Sequence, residues 1–254
     1  MAYKFEPKSL AGKAIIVTGG TTGIGRSTAQ RLVAGGANVL IYGRHEQELQ
    51  DALKDITSSA NGSGGKVHGL TADQSKPEDV KRVFEEADGK LGGVDILVNN
   101  AALGGGSITD TDRSEWEYQL RTNLFGYMDC CQQAIERMKA KGSGHIVNVG
   151  SMSAKVREGG SDIYVAAKSG IEGFSEALRK QVNEQGIKVT LIEPGLVGTN
   201  MTVDQVPVEE QPEAIEKGEM LRAEDIAECV YYTLTQPERC DVVMVQIRPH
   251  KQAI

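Results

Sequence analysis

Three side chains in the middle of the chain have the types and spacing for proton chemistry: Ser151, Tyr164 and Lys168. In Tyr164-Val165-Ala166-Ala167-Lys168 a phenol and an ammonium stand four residues apart, which on a helix means one face, one turn apart. A free tyrosine has a pKa of about 10 and carries protons poorly at neutral pH. An ammonium at about 4 Å is worth about 4 kcal/mol at an effective dielectric near 20, so roughly three pK units is the most the lysine takes off the phenol. A phenol acidified in this way falls where general acid–base catalysis is efficient. Ser151 adds a hydroxyl able to stabilise charge developing on a nearby oxygen. A tyrosine and a lysine four apart on a solvated helix are also ordinary, so the trio gains meaning only from the elements that must position it.

Those elements begin near the amino terminus. Ala14-Ile15-Ile16-Val17 is a continuous apolar run, suited to a strand buried on both faces. It leads into Thr18-Gly19-Gly20-Thr21-Thr22-Gly23-Ile24-Gly25 and then into a helical pattern that runs through Leu32 and Val33 to Gly35-Gly36. A strand, a glycine-rich turn and a helix start together make a phosphate site, because the backbone can approach the ligand and the free N–H groups favour an anion. Further strand-like segments follow at Asn38–Tyr42, Lys66–Leu70, Asp95–Val98, Ile146–Val149, Val189–Ile192 and Val242–Ile247, alternating with helical patterns. The alternation predicts an α/β fold: a Rossmann-like, doubly wound parallel sheet of about seven strands with helices on both faces, in one domain spanning 1–254. Ligands of such sheets bind outside the carboxyl ends of the strands. Gly19 to Gly25, Asn100, Ser151, Val197 and Thr199 all fall at such ends.

The glycine spacing is G-x-x-x-G-x-G (Gly19, Gly23, Gly25), preceded by a threonine, and not the G-x-G-x-x-G of most dinucleotide-binding turns. It resembles the signature of the short-chain dehydrogenase/reductase family, and the resemblance recurs in order along nearly the whole chain. Asn99-Asn100-Ala101-Ala102 is similar to the family's N-N-A-G, with Ala102 in place of the glycine, a change expected to narrow the substrate side of the cleft. Arg121-Thr122-Asn123-Leu124 holds an asparagine that helix propensity disfavours. The resemblance makes Asn123 the catalytic asparagine, anchoring a water that links to the lysine. The interval from Ser151 to Tyr164 matches the family, with Ser153 a second, lower-ranked hydroxyl. Pro194-Gly195-Leu196-Val197-Gly198-Thr199 resembles the family's P-G-x-x-x-T turn, with the backbone near Val197 meeting the carboxamide and Thr199 touching the cofactor.

The resemblance implies a nicotinamide cofactor over Gly19, Thr21, Thr22, Gly23, Ile24, Gly25, Asn100, Ala101, Tyr164, Lys168, Pro194, Gly195, Val197 and Thr199. Asp73 and Gln74 match the D-hydrophobic pair beside the adenine, although Gln74 is polar where an aliphatic residue is usual. The second strand ends at Gly43-Arg44, where an acidic residue would hold a ribose hydroxyl. An arginine there pairs with a 2′-phosphate through its planar fork. Family members with a basic residue just after this strand generally prefer NADP(H), so the resemblance favours it, with NAD(H) possible and Glu46 the alternative ribose ligand. The implied activity is hydride transfer between a nicotinamide and a carbonyl/alcohol pair, with Tyr164 as general acid/base.

A net charge of −7 and a pI near 5.3 argue against nucleic acid or an anionic membrane as partner. Cys130, Cys131, Cys229 and Cys240 show neither CxxC nor metal-ligand spacing, so no metal is expected. No leader-like or membrane-length apolar run is present, and a cytoplasmic protein is expected. Trp116, Leu120, Leu124, Tyr127, Cys131, Ile135 and Met138 form one apolar seam of a long helix, which in the family joins the tyrosine helix in a subunit interface. A homo-oligomer, dimer or tetramer, follows from that likeness. Residues 200–217 read as an irregular acidic lid loop, and Gly104-Gly105-Gly106 as a mobile rim. Leu103, Met152, Ile163, Leu196 and Met201 are candidates for a mostly apolar substrate pocket, with Arg157 placed to meet an anion. Two other functions fit parts of the pattern. A nucleotide-sugar epimerase or dehydratase shares the Tyr-x-x-x-Lys pair but needs a larger carboxyl-terminal region. A non-catalytic NADP-binding sensor commonly lacks one of the three catalytic residues, all of which are present here.

Overall fold

The computed structural model describes residues 6–252. The strand-like segments become seven strands: β1 (Ala14–Thr18), β2 (Asn38–Gly43), β3 (Lys66–Thr71), β4 (Ile96–Asn99), β5 (Gly144–Val149), β6 (Ile187–Pro194) and β7 (Met244–Ile247). They lie parallel in the order β3-β2-β1-β4-β5-β6-β7. Strand periodicity divides the core in two. Ile15, Val17, Val39 and Ile41 face helices α1 (Gly23–Ala34), α2 (Glu46–Ser58) and α9 (Ala223–Leu234). Ile16, Leu40 and Tyr42 face α3 (Pro77–Leu91) and α5 (Gly126–Lys141) on the other side, where α7 (Asp162–Val182) contributes Phe174 and Leu178. The chain winds outward from β1 to β3 and then crosses back to β4. This leaves a crevice between the carboxyl ends of β1 and β4, where such sheets bind ligands.

Two stretches differ from expectation. The long helix is interrupted: α4 (Arg113–Leu120) passes through a π-helical turn, Arg121–Phe125, before α5 begins. The widened turn shifts the seam, so Tyr127, Cys131 and Met138 are fully buried while Trp116 and Leu120 are only half-buried. Its cause is side-chain competition for the backbone. Gln74 Nε2 donates to Thr122 O (2.9 Å), and a Cβ on Gly126 would come within 2.4 Å of Gln74 Cγ, so the start of α5 tolerates only glycine. The 200–217 stretch is not wholly irregular. It contains a 3-10 turn at Asn200–Thr202 and the short α8 (Gln211–Glu216), tied down by Gln211 Nε2 donating to Thr199 O and Val206 O, both at 3.1 Å. Among the described residues, no helix is long and apolar enough to cross a membrane.

Candidate active site

The site grows from the end of β1. Thr18 Oγ1 accepts the N–H groups of Asn100 (2.9 Å) and Ala101 (2.8 Å), and Asn100 Nδ2 returns bonds to the carbonyls of Thr18 (3.0 Å) and Gly19 (3.3 Å). These bonds lock the β1 and β4 ends together at the crevice. The turn then needs its glycines: Gly19 has φ +62° and a Cβ there would lie 2.8 Å from Ala101 Cα, while one on Gly25 would lie 2.2 Å from Gly19 O. Helix α1 starts at Gly23 with no side-chain cap from Thr22 and no acidic residue in its first turn. Its free N–H groups and dipole are left for an anion.

One cleft, of about 1240 Å³ counting its open mouth, runs across the carboxyl ends of the strands. Its wall takes Gly19, Thr21, Thr22, Gly23 and Ile24 from the turn, Arg44 after β2, and Asp73 and Gln74 after β3. Asn100 and Ala101 follow β4, Ser151 follows β5, Tyr164 and Lys168 project from α7, and Pro194, Gly195, Val197 and Thr199 come from the end of β6 and beyond. Gly25 packs beneath the floor against Gly19 instead. Asn123 is fully buried outside the cleft, its Oδ1 accepting Leu103 N–H and its Nδ2 donating to Leu103 O, both at 2.8 Å. With both polar atoms so used, the side chain orders the backbone of Leu103, which does line the cleft. His45, Glu48, Thr122 and Thr202 also line it without having stood out in the sequence.

At the reactive end, Lys168 is buried, with Nζ donating to Val149 O (2.9 Å) and lying 5.6 Å from the Tyr164 ring centroid and 5.2 Å from that of Tyr127. Its amine has a carbonyl for a partner and, among the described residues, no carboxylate, and burial pushes its pKa down to about 7. Burial also pushes the Tyr164 phenol up to about 12, against the opposing pull of a hydrogen bond with Ser151 and with added repulsion from Glu158. The phenol therefore moves opposite to the expected acidification: burial raises it, and the opposing pull comes from Ser151 and not from Lys168, whose Nζ is bonded to Val149 O. Ser151 Oγ accepts the N–H of Ser153 (3.1 Å), the first residue of the short α6 (Ser153–Val156), and Ser153 Oγ donates to Glu158 Oε1 (2.5 Å). Ser153 thus helps to orient this end of the site, and Glu158 is a nearby carboxylate that the motif alone does not reveal.

At the opposite end, Arg44 Nη1 donates to the Tyr118 hydroxyl (2.8 Å), which donates in turn to Asp73 Oδ2 (3.0 Å). Gln74 is polar because it is a buried cross-link. Its Oε1 accepts the Tyr42 hydroxyl (2.7 Å) while its Nε2 holds the π turn. Glycine-lined floor, uncapped helix start and terminal arginine together fit a phosphate-bearing dinucleotide. Among the described residues, no cluster of three or more His, Cys, Asp or Glu side chains is placed to hold a metal.

Comparison with known proteins accords with this geometry. The family model for short chain dehydrogenases matches residues 13–210. The chain belongs to this family. An uncharacterized oxidoreductase of Staphylococcus aureus (strain USA300) is 32% identical over 241 residues, covering 94% of this chain and 98% of the relative. A short-chain oxidoreductase (SDR) from a metagenome, solved in complex with NADP, has a TM-score of 0.80 at 25% identity, covering 95% of this chain and 99% of its own. A short chain dehydrogenase of Burkholderia cenocepacia J2315, also in complex with NADP, has a TM-score of 0.82 at 27% identity, with coverages of 95% and 98%. The protein is thus an NAD(P)-dependent oxidoreductase with the Rossmann-like architecture of short-chain dehydrogenases.

Of the candidate pocket residues of this short-chain dehydrogenase, Leu103 and Met201 line the cleft, as does Ala102, whereas Met152, Ile163 and Leu196 do not. Arg157 is exposed in a left-handed conformation (φ +56°), its Nε directed to Ala154 O at 3.4 Å, and so does not reach into the cleft. The glycine rim is fastened. Asp162 accepts Ile108 N–H (2.9 Å) and Ser107 Oγ–H (3.1 Å), and Gly105 packs so closely on Tyr164 that a Cβ would lie 2.5 Å from the Tyr164 Cβ.

Proposed function

We propose that this short-chain dehydrogenase reduces a ketone or aldehyde to its alcohol with NADPH. The meeting of Ser151, Tyr164 and Lys168 in one cleft, whose far end suits phosphates, carries this reading. The nicotinamide supplies the hydride when bound; the chain's residues position, polarise and move the proton. Ser151 donates a hydrogen bond to the carbonyl oxygen as charge develops there. Tyr164 gives its phenolic proton to that oxygen, and the Lys168 ammonium steadies the phenolate until solvent restores the proton. Burial keeps the Tyr164 phenol protonated at neutral pH, the form a proton donor needs. Asn123 acts as a positioning residue through Leu103.

In this reading the Gly19–Gly25 turn and the start of α1 hold the pyrophosphate, and Arg44 meets the 2′-phosphate. Asp73 and Gln74 border the adenine, and Asn100, Ala101, Pro194, Gly195, Val197 and Thr199 line the nicotinamide half. The Arg44 charge and the NADP-bound neighbours support NADP(H) over NAD(H). Following the family pattern, the protein assembles as a homo-oligomer. Turnover across a panel of ketones, aldehydes and sugars with each cofactor tests the reading. Oxidation of NADPH by a ketone or aldehyde, with at least ten-fold lower kcat/KM for NADH, is expected. A marked NADH preference would refute the role of Arg44, and no turnover of any carbonyl would refute the reaction.

A further inference from the structure

Arg44 is exposed, and an unrestrained arginine must lose rotamer entropy before its guanidinium is useful to a ligand. Here it is held. Tyr118, on α4, accepts from Nη1 at 2.8 Å with its ring 5.8 Å from the guanidinium carbon. The tyrosine's own proton goes to Asp73 Oδ2 (3.0 Å), so an oxygen lone pair is left facing the arginine. Asp73 is rooted in turn: its Oδ1 accepts Ser75 N–H (3.0 Å) and its N–H donates to Asp79 Oδ2 (2.8 Å) at the start of α3. The chain of contacts ties the loop ends of β2 and β3 to α4 across one end of the cleft. The holder is also neutral. Among the described residues Arg44 makes no ion pair with a carboxylate, so its charge is not cancelled, and Nη1 is the only one of its nitrogens placed in a hydrogen bond.

We infer that Tyr118 is a specificity-determining positioning residue, holding Arg44 for a phosphate monoester on the adenosine ribose and thereby setting the preference for a 2′-phosphorylated cofactor. The inference rests on the reading that Arg44 meets that phosphate. Tyr118→Phe keeps the ring and removes only the hydroxyl, so both links of the relay break while packing is preserved.

The test is calorimetric binding of adenosine 2′,5′-bisphosphate and of AMP to wild type, Arg44→Ala and Tyr118→Phe, with KM for NADPH and NADH alongside. In Tyr118→Phe, affinity for the bisphosphate is expected to fall five- to ten-fold more than affinity for AMP, with KM for NADPH rising in the same proportion relative to NADH. A merely structural tyrosine would weaken both ligands alike. If Arg44→Ala abolishes the bisphosphate preference but Tyr118→Phe leaves it within two-fold of wild type, the tyrosine's role is overturned. If Arg44→Ala leaves the preference intact, the phosphate reading of Arg44 fails, and the inference with it.

Discussion

Tyr164 and Lys168 are spaced for partnership, yet their electrostatics were set by depth. Both groups are desolvated, so the phenol moves up to about 12 and the amine down to about 7. The sequence shows the four-residue spacing; it cannot show that Val149 O is the lysine's partner or that Glu158 folds back toward the tyrosine. The lysine then governs the pH dependence. Its folded pKa is depressed, so the ammonium that steadies the phenolate is present below about pH 7 and lost above it. The kcat/KM for reduction, which reports the free enzyme, should therefore hold at low pH and decline as pH rises through about 7. Tyr164, still protonated far above that range, contributes no limb there. A profile flat from about pH 6 to about pH 9 would contradict the charged-lysine role.

Among the elements, the π turn at Arg121–Phe125 is the feature that local pattern reading misses. Asn123 is conspicuous for its poor helix propensity, but the partners that widen the turn, Gln74 and Leu103, lie 48 and 20 residues from the atoms they bind. The same contacts explain Gln74 at a position where the family favours an aliphatic residue. Gln74→Leu would leave Thr122 O without its donor and Tyr42 without its short acceptor, inside a buried region. A loss of about 2–4 kcal/mol follows from two such orphaned groups, lowering Tm by several degrees in a chain of this size. Thermal unfolding of this variant checks the point, and a Tm equal to wild type would show that the cross-link does not brace the turn. The strands, by contrast, were legible nearly to their ends. Runs such as Ala14-Ile15-Ile16-Val17 and Val39-Leu40-Ile41, buried on both faces and followed closely by glycine, leave few alternatives, and only β7 proved shorter than its run.

At the scale of the molecule, the parallel sheet follows from alternating strand and helix units, and its observed order brings residues from Gly19 to Thr199 into one cleft. That convergence was readable because each motif sits at a strand's carboxyl end. The ordering of residues 200–217 was not, since it depends on the buried Gln211 donating back to the carbonyls of both Thr199 and Val206. The surface carries apolar residues that water does not favour: Phe125 is 52% exposed just before α5, Tyr232 on α9 is 55% exposed, and Met244 on the edge strand β7 is 40% exposed. An uncovered sheet edge with apolar neighbours invites a second copy. Light scattering should give a mass that is an integer multiple, two or four, of the 27.3 kDa chain. A monomeric mass at micromolar concentration would rule out the proposed assembly.

The central claim is that the Tyr164 hydroxyl delivers the proton, and Tyr164→Phe removes that atom alone. Steady-state reduction of a carbonyl accepted by the wild type, measured together with NADPH binding, is the direct test. Turnover should fall by roughly 10²–10⁴-fold with NADPH affinity nearly unchanged. Turnover within two-fold of wild type would contradict the account.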